Sequence, residues 1–413
     1  MNWWETGFVA VESNRLKIAG RDASELAARY GTPLYVYGKD RILELYARLD
    51  DAFGRHTGRE TRICYAMKAN PHKGILRLLR ARGAWVDAVS PCEVETALKA
   101  GFPAERILYT GTSVSRTDLR SVFAIEGLTV NIDAAEQLAV MGEVKREFPD
   151  RAIRVSVRWN PGVGRGFHAK AITAGKRSSD GTPIKFGVEA GKVLPVFAKA
   201  RKMGFKPVGL HQHLGSGWVR EDFGMVRIAV DRLVRKAREV EKAGFPLEFL
   251  DFGGGFGPRY LKSRDVFPVE DYIAYLTKAV DRAGLSVRAL ALEPGKFLVG
   301  DAGVLLLGVE YVKESYGNIF ACVDGGTFNT VPRPAIYLTA HHEIVNAGRV
   351  DGTHKARVTV AGNLCETGDV FGRERSMPLP ESGDVLAVLC AGAYCRSMAS
   401  HFNLRQIPRE VLV

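Results

Sequence analysis

The chain has 413 residues, 46% of them hydrophobic and 25% charged, with 44 glycines against 18 prolines. That is enough for two or three domains with a sizeable core, and it excludes a disulfide-held mini-protein, a disordered chain and a collagen-like one. Lysine and arginine (58) outnumber aspartate and glutamate (46), a formal charge of +12, which raises the question of an anionic partner, nucleic acid or small ligand. The basic residues stand singly or in pairs, as at Arg80 and Arg82, Lys199 and Arg201, or Lys236 and Arg238. No basic run is interleaved with aromatics, so they read as solvated helix faces and no nucleic acid is expected. The six cysteines form no Cys-x-x-Cys pair, and the opening MNWWETGF lacks a basic and then apolar leader. No apolar run reaches the ~18 residues of a membrane span. A reducing cytoplasm, with no membrane attachment, is the expected compartment.

Residues 1–32 hold a strand-like stretch, FVAVESNRLKIAG, and a short helix, and are expected to pack with a C-terminal β domain. From Pro33 to about Pro294, short β-rich runs alternate with helical periods. The runs are PLYVY (33–37), RICYA (62–66), AWVDAV (84–89), RILYT (106–110), LTVNI (128–132), IRVSVRW (153–159), PVGLHQHL (207–214), LEFLDFG (247–253) and VRALALE (287–293). Between them, segments such as RILELYARLDDAF (41–53) and AAEQLAVMGEVKREF (134–148) repeat apolar residues every three or four positions. Such alternation calls for a parallel sheet with crossover helices, and this many repeats suit an α/β fold of the (β/α)8 TIM-like barrel type over 33–294, opening with PLYVY. The polar, Gly-rich stretch at 164–184 reads as a mobile solvated lid, with a surface for a larger acidic substrate as the alternative. After residue 295 the runs VLLLGVEYVKE, NIFACVDGG, ARVTVAG, DVLAVLCAG and QIPREVLV, separated by Gly, Asn, Asp and Pro, predict a mainly antiparallel β domain over 295–413.

A barrel of this kind gathers its reactive groups at the C-terminal ends of the strands. The unusual residues fall there: Lys68 after RICYA, Asp87 and Ser90, Asn131, Arg158 and Asn160, His211, His213 and Ser216, Gly253 to Gly257, and Glu293. A partly desolvated lysine suits attack on a carbonyl, with a plain surface lysine as the alternative. Gly253, Gly254 and Gly255 suit close approach of a phosphate to backbone N–H groups, or simply a tight turn. They do not form the GxGxxG of a nicotinamide site. His211-x-His213 offers two metal ligands without a third at a recognisable spacing, and no metal is expected.

The ordered motifs Tyr65-Ala-Met-Lys-Ala-Asn70, His213-Leu-Gly-Ser216, Asp251-Phe-Gly-Gly-Gly255, Glu293-Pro-Gly295, Arg333-Pro-Ala-Ile-Tyr337, Cys365-Glu-Thr-Gly-Asp369 and Gly392-Ala-Tyr394 resemble those of the fold type III pyridoxal-phosphate decarboxylases, most closely the diaminopimelate decarboxylases. The resemblance runs from Pro33 to the C-terminus. It implies pyridoxal 5'-phosphate held by Lys68, a homodimer with shared active sites, and the alanine racemase-like pairing of a barrel with a β domain. It gives Glu293 to the cofactor's ring nitrogen, His213 to its ring face, Asp87 to the ring's vicinity, and Ser216, Gly253, Gly254, Gly255 and Tyr394 to the phosphate. Glu293 at the nitrogen separates a decarboxylase from the related racemases, which carry an arginine there. Cys365 resembles the thiol that reaches a partner's site to protonate Cα, and Glu366 a ligand of the substrate amine. The other five cysteines read as buried packing thiols.

Substrate choice turns on the loop carrying Arg333, which suits a distal carboxylate through paired hydrogen bonds. With Tyr337, Tyr394 and Glu366 it fits a remote end bearing both a carboxylate and an ammonium, as meso-2,6-diaminopimelate has; the product is L-lysine. The family usually continues Glu-Pro-Gly with arginine, and this chain has Lys296, which keeps the charge but not the fork. A decarboxylase of another carboxylated or conjugated amino acid is the runner-up, ahead of a racemase or a non-catalytic pyridoxal-phosphate carrier.

Overall fold

The computed structural model describes residues 2–413, which divide into two compact units. One comprises Tyr46–Gly257 and Val266–Gly295; the other comprises the chain up to Leu45, Pro258–Asp265 and Lys296–Val413.

The first unit is a closed barrel of eight parallel strands: Glu60–Ala66, Trp85–Ala88, Ile107–Tyr109, Thr129–Ile132, Arg154–Arg158, Lys206–His211, Phe249–Asp251 and Ala289–Leu292. The last strand closes on the first, with Leu292 in register with Ile63. Each strand is short and almost wholly buried, as strands covered on both faces must be. Cys64, Leu108, Val208, Phe249, Ala289 and Ala291 fill one interior layer. The guanidinium of Arg62 stacks 4.2 Å from the Trp85 ring and 5.1 Å from Phe249, and Arg62 donates to Glu60 Oε1 at 2.8 Å. These groups pack the N-terminal end of the barrel, opposite the mouth where the C-terminal strand ends meet. Several residues there only start helices. Ser90 caps Pro91–Lys99 by accepting from the Glu93 N–H at 3.2 Å, and Ser115 forms a capping box with Asp118 ahead of Arg116–Phe123.

PLYVY is not a barrel strand. Leu34–Tyr37 pairs antiparallel with Gly303–Leu306 and parallel with Arg409–Leu412 in the other unit. A run buried on both faces has the same sequence signature in either sheet. The eight runs that follow PLYVY are the barrel strands.

The second unit is built on a sheet of order Ile344–Asn346, Val385–Val388, Gly303–Ser315, Asn318–Val323, Lys355–Ala361 and Val370–Pro378, most of whose pairs are antiparallel. Its core joins Leu34, Val36, Val304, Leu306, Ala387 and Leu389 to Phe8, Leu16, Ile18 and Leu26 from the N-terminal segment. Within that segment Val9–Glu12 and Arg15–Ile18 form a hairpin. Ser13 and Asn14 sit at φ 48° and 62° in its two-residue loop, matching the twist of the strands.

Candidate active site

A 3-10 turn, Met67–Ala69, follows the first barrel strand and brings Lys68 to the open end. Its side chain is 32% exposed, and its Nζ lies 2.6 Å from Oδ2 of the fully buried Asp87 on the second strand. The other oxygen of Asp87 accepts from the Thr110 hydroxyl, just past the third strand. Burial pushes the Asp87 carboxyl up, against the pull of Lys68. A carboxylate so placed can take the proton that an ammonium must shed before the amine attacks a carbonyl.

Glu293 follows the last strand and is buried. Burial alone would raise its pKa, but the hydrogen-bonded His211 beside it and the Lys68 ammonium hold the carboxyl well below the usual range. Glu293 Oε2 lies 3.2 Å from His211 Nε2; Oε1 is buried with no partner among the described residues. His211 Nδ1 is 3.0 Å from Asn131 Nδ2, and the Ser156 hydroxyl donates to Asn131 Oδ1 at 2.7 Å. Two residues on, burial drives the His213 pKa well down, leaving a neutral ring whose Nδ1 accepts from the Gly254 N–H at 3.2 Å. Burial also raises Asp251 well above the ordinary carboxylate value, with the Glu293 charge adding to it.

The histidine pair does not supply two ligands to one centre. Instead His211, Asp251 and Glu293, from three strand ends, place donor atoms within 4.8 Å of one another. With Asn131 donating to one ring nitrogen of His211 and the other directed at Glu293, neither nitrogen offers a lone pair to an ion.

The glycine run is tighter than a phosphate loop alone requires. A Cβ at Gly254 would lie 2.1 Å from the Glu293 carbonyl oxygen, and one at Gly253 2.4 Å from that of Gln212. The Gly253 N–H donates to Asp251 Oδ1 at 2.8 Å, so the amides of Gly253 and Gly254 are both committed within the barrel. Gly255, at φ 131°, faces the Trp218 ring and the Gly215 carbonyl, which a Cβ would meet at 2.3 and 2.6 Å. Half-buried Ser216 lies in the neighbouring loop.

The segment after Pro161 is strapped to that loop rather than solvated as a free lid. The N–H groups of Arg165 and Phe167 donate to Leu214 and Ser216 carbonyls at 3.0 and 2.9 Å, and the Ser216 N–H donates to Ala171 at 3.0 Å. The Thr173 hydroxyl donates to the His213 carbonyl at 3.0 Å. Glycine permits this approach, since a Cβ at Gly215 would lie 2.2 Å from the Arg165 carbonyl oxygen.

The second unit gathers Lys296, Arg333 and Tyr394. Arg333 and Lys296 are 2% and 6% exposed. Burial and the Arg333 charge drive the Lys296 pKa well down, and its Nζ lies 5.1 Å from the Tyr394 ring centre. Arg333 stacks 4.3 Å from the Tyr260 ring and lies 3.1 Å from His342 Nε2; His342 Nδ1 faces the Leu389 carbonyl at 2.8 Å. Tyr337 is half-buried one residue past the turn Arg333–Ile336. Cys365 and Glu366 are exposed on a loop tied down by Asp369, which accepts from the Thr327 hydroxyl at 2.7 Å and the Leu364 N–H at 2.8 Å. Of the five other cysteines, Cys64 and Cys395 are buried, Cys322 and Cys390 partly so, and Cys92 is exposed near the start of its helix, so the packing role does not extend to Cys92.

Thr110, Ser156, Tyr260 and His342 stand in none of the sequence motifs, and Asp251 heads one without a role of its own. A polar residue inside a buried strand, as Ser156 is, was the available signal.

The barrel suits pyridoxal phosphate on the strength of its donor set. It holds an ammonium beside a carboxylate that can take its proton, a neutral imidazole, and a second buried carboxylate, ionised, with one oxygen left to accept an N–H. The chain matches the family described as "Pyridoxal-dependent decarboxylase, pyridoxal binding domain" over residues 39–300, and it belongs to the pyridoxal-dependent decarboxylases. It is 42% identical to the diaminopimelate decarboxylase of Methanothermobacter thermautotrophicus, over 97% of this chain and 91% of that one. Diaminopimelate decarboxylase from Helicobacter pylori complexed with L-lysine superposes with a TM-score of 0.85 at 30% identity, over 94% and 93% of the two chains. The M. jannaschii diaminopimelate decarboxylase gives 0.87 at 32%, over 98% and 92%.

Proposed function

We propose that this chain converts meso-2,6-diaminopimelate to L-lysine and CO2 with pyridoxal 5'-phosphate bound at Lys68. The observation that carries the reading is Glu293, ionised although buried and with Oε1 left to accept a proton-bearing ring nitrogen. The cofactor, when bound, supplies a sink for the electron pair left on Cα as CO2 departs. Asp87 accepts the proton that Lys68 sheds, and neutral His213 offers a flat face free of competing charge. Gly255 and Ser216 give the phosphate its approach, while Gly253 and Gly254 shape the turn beside them.

Lys296 and Arg333 distinguish the substrate. Two buried cations cost desolvation energy that a carboxylate offsets, and Tyr260 and His342 hold the Arg333 guanidinium flat for a paired contact. The Tyr394 ring lies beside Lys296, and Tyr337 follows the turn that carries Arg333. Glu366 supplies the negative charge for the distal ammonium, and the Cys365 thiol returns a proton to Cα.

We further infer a cytoplasmic homodimer in which Cys365 and Glu366 complete the partner copy's site. Their exposure supports this, as does the exposure of nearby Leu404 (93%) and Phe402 (45%); Asn403 between them accepts from the Cys365 N–H at 2.9 Å. Helices long and apolar enough to cross a membrane are absent among the described residues.

Release of CO2 and formation of lysine from diaminopimelate by cofactor-loaded protein tests the substrate, and absence of turnover removes it. Mixing Lys68→Ala with Cys365→Ala tests sharing. Random re-pairing restores up to about a quarter of wild-type activity if sites are shared across a two-fold interface, and none if they are not.

A further inference from the structure

Glu293 has to meet two demands that conflict: it must stay ionised in a buried barrel mouth, and it must keep one oxygen uncommitted. Its Oε1 has no partner among the described residues, so the stabilising contact has to come through Oε2. Two imidazoles face Oε2. His213 Nδ1 stands 3.8 Å away, beyond hydrogen-bond reach, and is occupied as the acceptor of the Gly254 N–H. His211 Nε2 stands at 3.2 Å. Whether His211 donates there depends on which nitrogen carries its proton, and the neighbouring strands decide that.

Asn131 and Ser156 are register partners on the fourth and fifth barrel strands. The Ser156 hydroxyl donates to Asn131 Oδ1, which turns the amide so that Nδ2 donates to His211 Nδ1 at 3.0 Å. A ring nitrogen that accepts cannot carry the proton, so the proton of a neutral His211 is on Nε2, facing Glu293. The chain Ser156, Asn131, His211, Glu293 is therefore polarised in one direction, and every member of it is buried.

We propose that His211 is a positioning residue for the decarboxylation: locked as its Nε2–H tautomer by Asn131 and Ser156, it donates to Glu293 Oε2, keeps that side chain a carboxylate, and leaves Oε1 uncommitted, so that it would be available to the cofactor's ring nitrogen. The inference deepens the proposed function and rests on it for the identity of the group that Oε1 receives. With its two ring nitrogens engaged by Asn131 and Glu293, His211 acts through Glu293, as the partner of a ligating group commonly does.

Two measurements on the protein itself separate this from the functional reading. Nitrogen-15 spectra of wild-type protein show His211 protonated at Nε2 and bare at Nδ1; protonation at Nδ1 overturns the proposal even if no variant folds. Infrared difference spectra against Glu293→Gln show an ionised Glu293 in wild type and in His211→Gln, whose amide N–H replaces the donor, and a protonated acid in His211→Leu. In holoenzyme carrying nitrogen-15 pyridoxal phosphate, ring-nitrogen protonation follows the same order, and kcat falls about 10- to 100-fold in His211→Leu with most of it recovered in His211→Gln. If His211→Leu keeps an ionised Glu293, a protonated ring nitrogen and wild-type kcat, the positioning role is wrong. If wild-type protein neither attaches the cofactor at Lys68 nor releases CO2, the functional reading fails instead, and the tautomer and infrared results still decide the relay.

Discussion

Replacing Lys68 with methionine removes the cation beside a carboxylate that is 0% exposed. Breaking a buried pair costs about 3–5 kcal/mol when the survivor stays charged; because the ammonium of Lys68 is a third exposed, the lower end applies, about 3 kcal/mol. In a unit of this size that is about 6–9 °C in melting temperature. The pH dependence has a definite sign. Burial already raises the Asp87 carboxyl and Lys68 opposes the rise, so Lys68→Met raises it further. Above the ordinary carboxylate pKa, unfolded Asp87 is ionised while the folded form resists ionisation, and stability falls as pH rises. Differential scanning of cofactor-free protein should therefore show a small deficit near pH 4.5 and the full deficit near pH 8. Lys68→Met/Asp87→Asn should recover most of it, since the buried charge is gone. An equal deficit at both pH values, or no recovery in the double variant, would refute the idea that Asp87 depends on Lys68 for its charge, and with it the role of Asp87 as acceptor of the Lys68 proton.

Lys296 carries a second pH effect: burial and Arg333 drive its pKa down, so KM for diaminopimelate should climb as pH rises and the ammonium is lost. Lys296→Arg should flatten that limb, which initial-rate profiles of the two proteins would show. Arg333→Met should raise KM by about 10- to 150-fold, the worth of a charged hydrogen-bonded contact to a carboxylate, with kcat changed less; equal loss in both would place Arg333 elsewhere. Cys365→Ala should cut kcat far more than cofactor affinity, measured by absorbance titration. Asp22 caps Ala23–Tyr30 and pairs with Arg15 and Lys17, contacts that together hold its carboxyl far below the usual range. Its stabilisation is present above the ordinary carboxylate pKa and is lost as pH falls towards the depressed value, so Asp22→Asn should blunt acid unfolding followed by circular dichroism.

The barrel strands were legible because strands covered on both faces leave short apolar runs, and helical periods separate them. What the run cannot carry is its partner. Leu34–Tyr37 is as buried as any barrel strand, and only its pairing with residues some 270 and 375 positions later places it in the other sheet. Val370–Pro378 leaves no such run for the opposite reason: it is an edge strand, and Arg373, Glu374 and Arg375 in its middle face outward or lie half-exposed, which is how edges resist further pairing. Lys68, His213 and Glu293 stand in recognisable motifs. Thr110, Asn131 and Ser156 work only through cross-strand neighbours, so spacing along the chain contains no trace of their roles.

The three buried acids of the barrel mouth show why residue type alone does not assign chemistry. Asp87, Asp251 and Glu293 all end strands and all lose hydration, which raises each of them before any partner is counted. Their partners then divide them. Asp87 has one cation and one hydroxyl and sits where a proton can pass to it. Asp251 accepts a single backbone N–H and lies in the field of Glu293, so it remains the neutral acid of the set. Glu293 alone has an imidazole donor backed by a directed hydrogen-bond chain, and it alone is held well below the usual carboxylate range. Were Asp251 ionised as well, its negative charge would press Glu293 towards protonation and remove the acceptor that the ring nitrogen requires. The neutrality of Asp251 is therefore part of what keeps Glu293 charged. Asp251→Asn, which keeps the acceptor for the Gly253 N–H and carries no charge, should leave cofactor ring protonation and kcat within a few-fold of wild type, whereas Glu293→Gln should abolish both.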